Sequence, residues 1–311
     1  MLSEAFLRSL RNLRLNPLRR RNSSLTGERR SVRRGRSVEF ADYRNYTPGD
    51  DPRRVDWNIY ARLERPYIKL FEVEEDLTTH ILLDSSPSMQ WQDEDEDGSH
   101  KWQRAAELAV ALGYIALASG DKLVLEANGS GGAQHFGPRR GGASMAELIK
   151  FVEGLLNSSR GSPSTAAPAM NAPTNAPVLP LNDWFKRYAL KAKPGLCIII
   201  SDLLDEAGFE DGLTALGSSR LDLHLLHTLC PAELDPELIG DLKLKDIETQ
   251  RTQDLSLDEA VMTQYRQRLG EWTAGISTFA RRRGGRYHLT DTSLPMEQIL
   301  LKDLRREEWL V

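Results

Sequence analysis

Apolar positions along this chain change period several times, and each change outlines an element. Leu2, Phe6, Leu7, Leu10 and Leu13 recur at helical spacing, which predicts an amphipathic helix over residues 1–15 with arginines on its outer face. Residues 17–37 (PLRRRNSSLTGERRSVRRGRS) lack periodicity and are rich in turn formers, so they read as an irregular link. YIKLFEVEE (67–75) and HILLDSS (80–86) predict strands. KWQRAAELAVALGYIALAS (101–119) predicts a helix that is apolar nearly all round, as a helix packed on a sheet must be. DKLVLEA (121–127) and GAQHFGP (132–138) predict strands, and SMAELIKFVEGLL (144–156) a helix capped by Ser144. Residues 157–180 hold five of the fifteen prolines and read as a long loop, before a helix at DWFKRYALKAK (183–193) closed by Pro194 and Gly195.

LCIIISDLL (196–204) is the most apolar run of strand length, and such a run belongs at the centre of a parallel sheet covered on both faces. A helix near 210–216, strands at 221–229, 243–249 and 286–290, a long helix over 258–283 and a final helix over 295–308 follow. Strands alternating with helices predict an α/β fold with a doubly wound, mostly parallel sheet, preceded by a helical and irregular N-terminal arm. The expected division is an arm over 1–78 and an α/β domain over 79–311. Sheets of this kind bind ligands at the carboxyl ends of their strands.

Composition narrows the class. At 311 residues, 40% hydrophobic and 28% charged, with mean hydropathy -0.46, the chain is neither fibrous nor low in complexity. The net charge of -4 conceals an asymmetry, since residues 1–36 carry eleven Arg against Glu4 and Glu28 and the remainder is acidic. That arm could bind phosphate-bearing partners or dock on an acidic body, but it lacks the aromatic interleaving of a nucleic-acid surface, so nucleic acid is not the expected partner. Residues 1–16 offer no uninterrupted apolar core for a signal peptide. The longest apolar stretch, 109–119, falls short of the ~20 residues of a membrane span, so no anchor is expected. Cys197 and Cys230 are too few for a disulfide framework and read as buried thiols in a reducing, cytoplasmic setting.

Two strand ends carry the candidate chemistry. Asp84-Ser85-Ser86-Pro87-Ser88 spells D-x-S-x-S, which can direct one carboxylate and two hydroxyls to one side, the oxygen set that a hard divalent cation takes at ~2.1 Å. The same residues also suit a helix cap or an Asx turn. Ser201-Asp202 ends the central apolar run and would bring a second carboxylate to a neighbouring strand end. Five consecutive acids at 93–97 would raise the local cation concentration or simply form a solvated charge run. His224 and His227, three apart in a strand, face opposite sides and read as packing residues.

HILLDSSPSM resembles the first motif of the von Willebrand factor A-type domain, whose metal-ion-dependent adhesion site combines D-x-S-x-S with a threonine on a second loop and an aspartate after the central strand. EFADYRNYTPGDDPRRVDWNIYAR (39–62) resembles the signature of the domain of unknown function 58 family, in which this segment precedes an A-type domain, and further matches extend the resemblance over about residues 4–308. The resemblance implies a metal site of Asp84, Ser86, Ser88 and Asp202 for Mg²⁺ or Mn²⁺, completed by a partner's carboxylate. The family's threonine should stand just before the helix near Leu181, where this chain has Val178, Leu179 and Pro180; Thr165 or Thr174 is the alternative. The resemblance also implies a MoxR-type AAA+ ATPase as partner and an adaptor role in chaperone-like or metal-insertion assemblies.

Within 39–62, Pro48–Pro52 reads as a turn, and Glu39, Arg44, Asp50, Asp51, Arg53, Arg54, Asp56 and Arg62 alternate in sign densely enough for a salt-bridged network. With Trp57 these residues are also a candidate interaction surface, although Tyr43, Tyr46, Trp57 and Tyr60 are expected to pack. Phosphate-loop, dinucleotide, zinc-protease, nucleophile-elbow and C-x-x-C motifs are all missing. The sequence therefore predicts a non-enzymatic, divalent-metal-dependent interaction module. The alternatives are a scaffold that binds an anionic partner through the arginine-rich arm with a vestigial metal loop, and a metal-assisted hydrolase.

Overall fold

The computed structural model describes residues 2–18, 39–72, 77–90, 101–129, 132–159, 178–236, 240–245 and 251–311. In chain order the elements are α1 (Glu4–Leu10), β1 (Glu39–Asn45), α2 (Trp57–Leu63), β2 (Tyr67–Glu72), β3 (Thr78–Ser85), α3 (Lys101–Ala118), β4 (Lys122–Gly129), β5 (Gly132–Arg140), α4 (Met145–Ser159), α5 (Leu181–Lys191), β6 (Gly195–Ser201), α6 (Glu210–Ser218), β7 (Leu221–Leu229), α7 (Pro231–Leu234), β8 (Gly240–Lys245), β9 (Thr252–Leu257), α8 (Glu259–Arg282), β10 (Arg286–Asp291) and α9 (Leu304–Arg306).

Six strands form the main sheet in the order β10-β7-β6-β3-β4-β5. All neighbours pair in parallel except β4 with β5, so the fold is the expected α/β, doubly wound and mostly parallel architecture. β6 is central, as its unbroken Leu196–Ile200 run predicts. Alternation sorts its residues: Leu196, Ile198 and Ile200 join the core on the α3 and α4 face, while Cys197 and Ile199 join the core on the α5, α6 and α8 face. Gly195 is required at the start of β6, because a Cβ there would stand 2.0 Å from the Thr78 carbonyl oxygen. From β3 the winding goes one way to β4 and β5 and the other way to β6, β7 and β10, so the topological switch point falls between β3 and β6.

The chain divides into two compact units. Residues 2–18 belong with the body that begins at Leu77, whereas 39–72 form the second unit. The first helix is thus part of the same compact unit as the residues from Leu77 onward. Phe6, Leu10, Leu13 and Leu15 join the core cluster that contains α3. The helix is also shorter than its periodicity predicts. After Leu10 the chain extends, Leu15 bridges Leu310, and Arg14 and Val311 exchange backbone hydrogen bonds of 2.9 and 3.0 Å.

Three further differences concern local structure. Ser144 does not cap α4; it ends a 3-10 turn at Gly142–Ser144 and donates to the Arg140 carbonyl. Of the strand expected at 243–249, residues 243–245 lie in β8, one arm of a hairpin paired antiparallel with β9, and 246–249 lie outside the described residues. The expected last helix is a π-helical turn at Gln298–Asp303 running into α9. The arginine-rich link and the acidic run at 93–97 lie outside the described residues. Among the described residues no helix is long and apolar enough to cross a membrane, and Cys197 and Cys230 are free and buried.

In the second unit β1 pairs antiparallel with β2, and the charges of the signature segment build the turn between them. Arg44 holds Asp50 with two bonds of 2.7 and 2.6 Å, and Asp50 also accepts from the Thr47 amide and hydroxyl. The Arg44 guanidinium and these Thr47 donors hold the Asp50 carboxyl well below the usual range. Asp51 accepts from the Arg53 amide, and Asp56 caps α2 through the Asn58 and Ile59 amides while accepting the Tyr43 hydroxyl.

Candidate functional site

The register of β3 with β6 pairs Leu83 with Ile200, which sets the ends of the two strands, Asp84 and Ser201, side by side. The Ser201 hydroxyl donates to Asp84 Oδ2 at 2.6 Å, and the Ser86 amide donates to Asp84 Oδ1 at 2.9 Å. Asp84 is 1% exposed. Burial, helped by the Asp202 charge and opposed by the Ser201 and Ser86 donors, pushes its carboxyl above the usual carboxylate range. The Ser201–Asp84 bond thus ties the ends of β3 and β6 together.

Ser86 and Ser88 are buried, with their hydroxyl oxygens 2.9 Å apart. The two hydroxyls hydrogen-bond each other at that distance, which is also close to the ~3.0 Å between adjacent ligands of an octahedral Mg²⁺ shell at ~2.1 Å. Asp202 is 0% exposed; its Oδ1 accepts from the Leu204 amide at 3.1 Å and its Oδ2 from the Lys101 ammonium at 2.7 Å. The turn that presents it is bent at Leu203, a buried non-glycine residue at φ 56°, whose amide donates to Ser201 Oγ at 2.9 Å. A bulky residue in the left-handed region costs ~1–3 kcal/mol and persists only where its surroundings fix it, as the burial of Leu203 does.

The oxygen-rich set at the switch point fits a hard divalent cation in ligand type and in hydroxyl spacing. It pairs two hydroxyls with two carboxylates, and among the described residues no group of three or more His, Cys, Asp or Glu is placed to hold a metal ion. The position expected for the threonine carries no ligating side chain: Asn128, adjacent to Asp84 on β4, clamps Leu179 through bonds of 2.8 and 3.2 Å to its carbonyl and amide. Thr165 and Thr174 lie outside the described residues.

Four residues at the site escape a reading based on local spacing. Lys101, at the start of α3, bonds Asp202 and, at 2.6 Å, Glu233 Oε1. Glu233 is fixed in turn by the Cys230 amide. Ser201 was legible only as the neighbour of Asp202. His227 supports the same turn from below, with one ring nitrogen 2.9 Å from the Asp202 carbonyl and the other 2.8 Å from the Tyr287 hydroxyl. Burial lowers the His227 imidazole to about 4. His224 is buried elsewhere, against Trp309.

The candidate interaction surface divides. Arg44, Asp50, Asp51 and Asp56 are engaged within the second unit, whereas Arg53, Trp57 and Arg62 are exposed; the Glu39 side chain lies outside the described residues. Trp57 and Tyr60 were expected to pack, but they meet edge-on while remaining 62% and 43% exposed, because a two-stranded sheet and one short helix cannot cover both faces of α2.

Similarity to known proteins bears on the same regions. "Uncharacterized protein Rv1480" of Mycobacterium tuberculosis and "Uncharacterized protein Mb1516" of Mycobacterium bovis are each 26% identical over 258 residues, covering 81% of this chain and 74% of the relative. Among solved structures, an aerotolerance-related membrane protein from Bacteroides fragilis matches with TM-score 0.38 at 15% identity, covering 74% of this chain and 99% of that one. The conserved hypothetical protein BatB from Bacteroides thetaiotaomicron gives TM-score 0.38 and 15% identity, covering 75% and 97%. The sequence profile of the family described as "Protein of unknown function DUF58" matches residues 42–273, most of both units, and the chain belongs to that family.

Proposed function

We propose that this protein is a non-enzymatic adaptor that engages a protein partner through a divalent cation held at the ends of β3 and β6. The observation that carries this reading is the convergence of Asp84, Ser86, Ser88 and Asp202 at the switch point of the sheet, with the two hydroxyls 2.9 Å apart. In the A-type reading, Asp84, Ser86 and Ser88 hold Mg²⁺ or Mn²⁺, and Asp202 supports them directly or through water. When bound, the cation supplies a coordination position for an acidic side chain of the partner. Ser201 orients Asp84, and the Leu203 turn orients Asp202. The family resemblance supplies the partner class, a MoxR-type AAA+ ATPase, and the free buried thiols Cys197 and Cys230 favour a reducing, cytoplasmic setting. His227, whose ring nitrogens are engaged with the Asp202 carbonyl and the Tyr287 hydroxyl, is not placed as a base for Ser86 or Ser88.

A second reading rests on the exposed Trp57, Tyr60 and Leu63 of α2, with Arg53 and Arg62 beside them in sequence, a composition typical of binding hot spots. In that case the signature segment and the arginine-rich arm bind an anionic partner. Pull-down of the ATPase separates the two. The metal-bridged contact is lost in EDTA and in Asp84→Ala, whereas an arginine-driven contact survives both and weakens steeply with salt.

A further inference from the structure

Lys101 is a wholly buried lysine whose side chain is 0% exposed. Its ammonium bridges Asp202 Oδ2 at 2.7 Å and Glu233 Oε1 at 2.6 Å. The two carboxylates come from different connections, one at the end of β6 and the other in α7 after β7. Glu233 is held on both sides: the Cys230 amide donates to its Oε2 at 2.9 Å, and its carbonyl accepts from the Tyr265 hydroxyl at 2.5 Å. The ammonium is thus fixed in place by groups that lie beyond the Asp84 loop.

Burying such a charge is costly, and well-packed apolar residues commonly serve packing as well or better. The charge here stands directly on the carboxylate that the proposed metal site would use. Resting on the metal-dependent reading above, we propose that Lys101 is a built-in competitor for the divalent cation. It occupies Asp202 Oδ2 and adds a positive charge beside the shell. Asp84, Ser86 and Ser88 then hold the ion weakly by themselves, and stable occupancy needs the carboxylate that an acidic partner brings. The consequence is a site that registers partner and cation together rather than the cation alone.

Calorimetric titration of the full chain with Mn²⁺ tests this. Lys101→Met should tighten Mn²⁺ binding roughly tenfold or more relative to wild type, because it frees Asp202 and removes the repelling charge. The variant leaves the buried Asp202 and the partly buried Glu233 without their ammonium, so Lys101→Met with Glu233→Gln is measured beside it; the pair of changes preserves net charge and should also tighten binding. Unchanged or weaker binding in both variants, with measurable binding in wild type, would overturn the competitor role and leave the metal site intact. No binding in wild type or either variant at about 10 mM Mn²⁺ would overturn the metal reading and this inference together.

Discussion

Ser201 donates its hydroxyl to Asp84 across the junction of two neighbouring parallel strands, at 2.6 Å and out of contact with solvent. The same oxygen accepts the Leu203 amide at 2.9 Å, so one hydroxyl ties the first strand end to the turn that carries Asp202. Ser201→Ala leaves a buried carboxylate oxygen and a buried amide each short of a partner. Stability should fall by about 1–3 kcal/mol in chemical denaturation, and the divalent response should weaken with it. A loss below about 0.5 kcal/mol would show that the hydroxyl does not organise the site.

His224 gives a pH dependence of defined sign. Its ring is buried against Trp309, centroids 4.6 Å apart, and neither ring nitrogen has a hydrogen-bond partner among the described residues. Burial, with the nearby Arg286 charge, lowers its imidazole from 6.5 to about 3. As pH falls below 6.5 the unfolded chain takes up the proton first. The stability that the neutral ring contributes is therefore complete above that value and is lost progressively toward pH 3. His224→Phe removes this dependence while keeping a ring on Trp309. Its stability relative to wild type should rise by up to about 1.4 kcal/mol per pH unit between pH 6 and pH 4. Parallel acid-unfolding curves for the two proteins would contradict the assignment.

Much of this architecture is written locally. The unbroken apolar run of β6 announced the sheet centre because a strand buried on both faces has no polar alternation to keep. D-x-S-x-S marked the first strand end because short polar residues follow an apolar run there, and the Ser86 amide does close back on Asp84. What escaped depends on distant partners. Lys101 meets Asp202 and Glu233 across separations of 101 and 132 residues, so nothing near it in sequence marks it. Leu13 and Leu15 sit at the tail of a helical pattern, yet the chain extends there because its far end offers Leu310 as a pairing partner. The β8–β9 hairpin was half legible, since TQDLSL is polar and exposed along most of its length and lacks the apolar alternation of a half-buried strand.

The central claim is that Asp84 and its neighbours hold a divalent cation. The most direct test is the thermal unfolding midpoint of the full chain titrated with Mn²⁺ or Mg²⁺ against EDTA, for wild type and for Asp84→Ala. An ion at a hundred times its Kd adds about 2.7 kcal/mol to stability. The account predicts a midpoint in wild type that rises with ion concentration into the millimolar range and a flat response in Asp84→Ala. An equal rise in both proteins, or none in wild type, would contradict it.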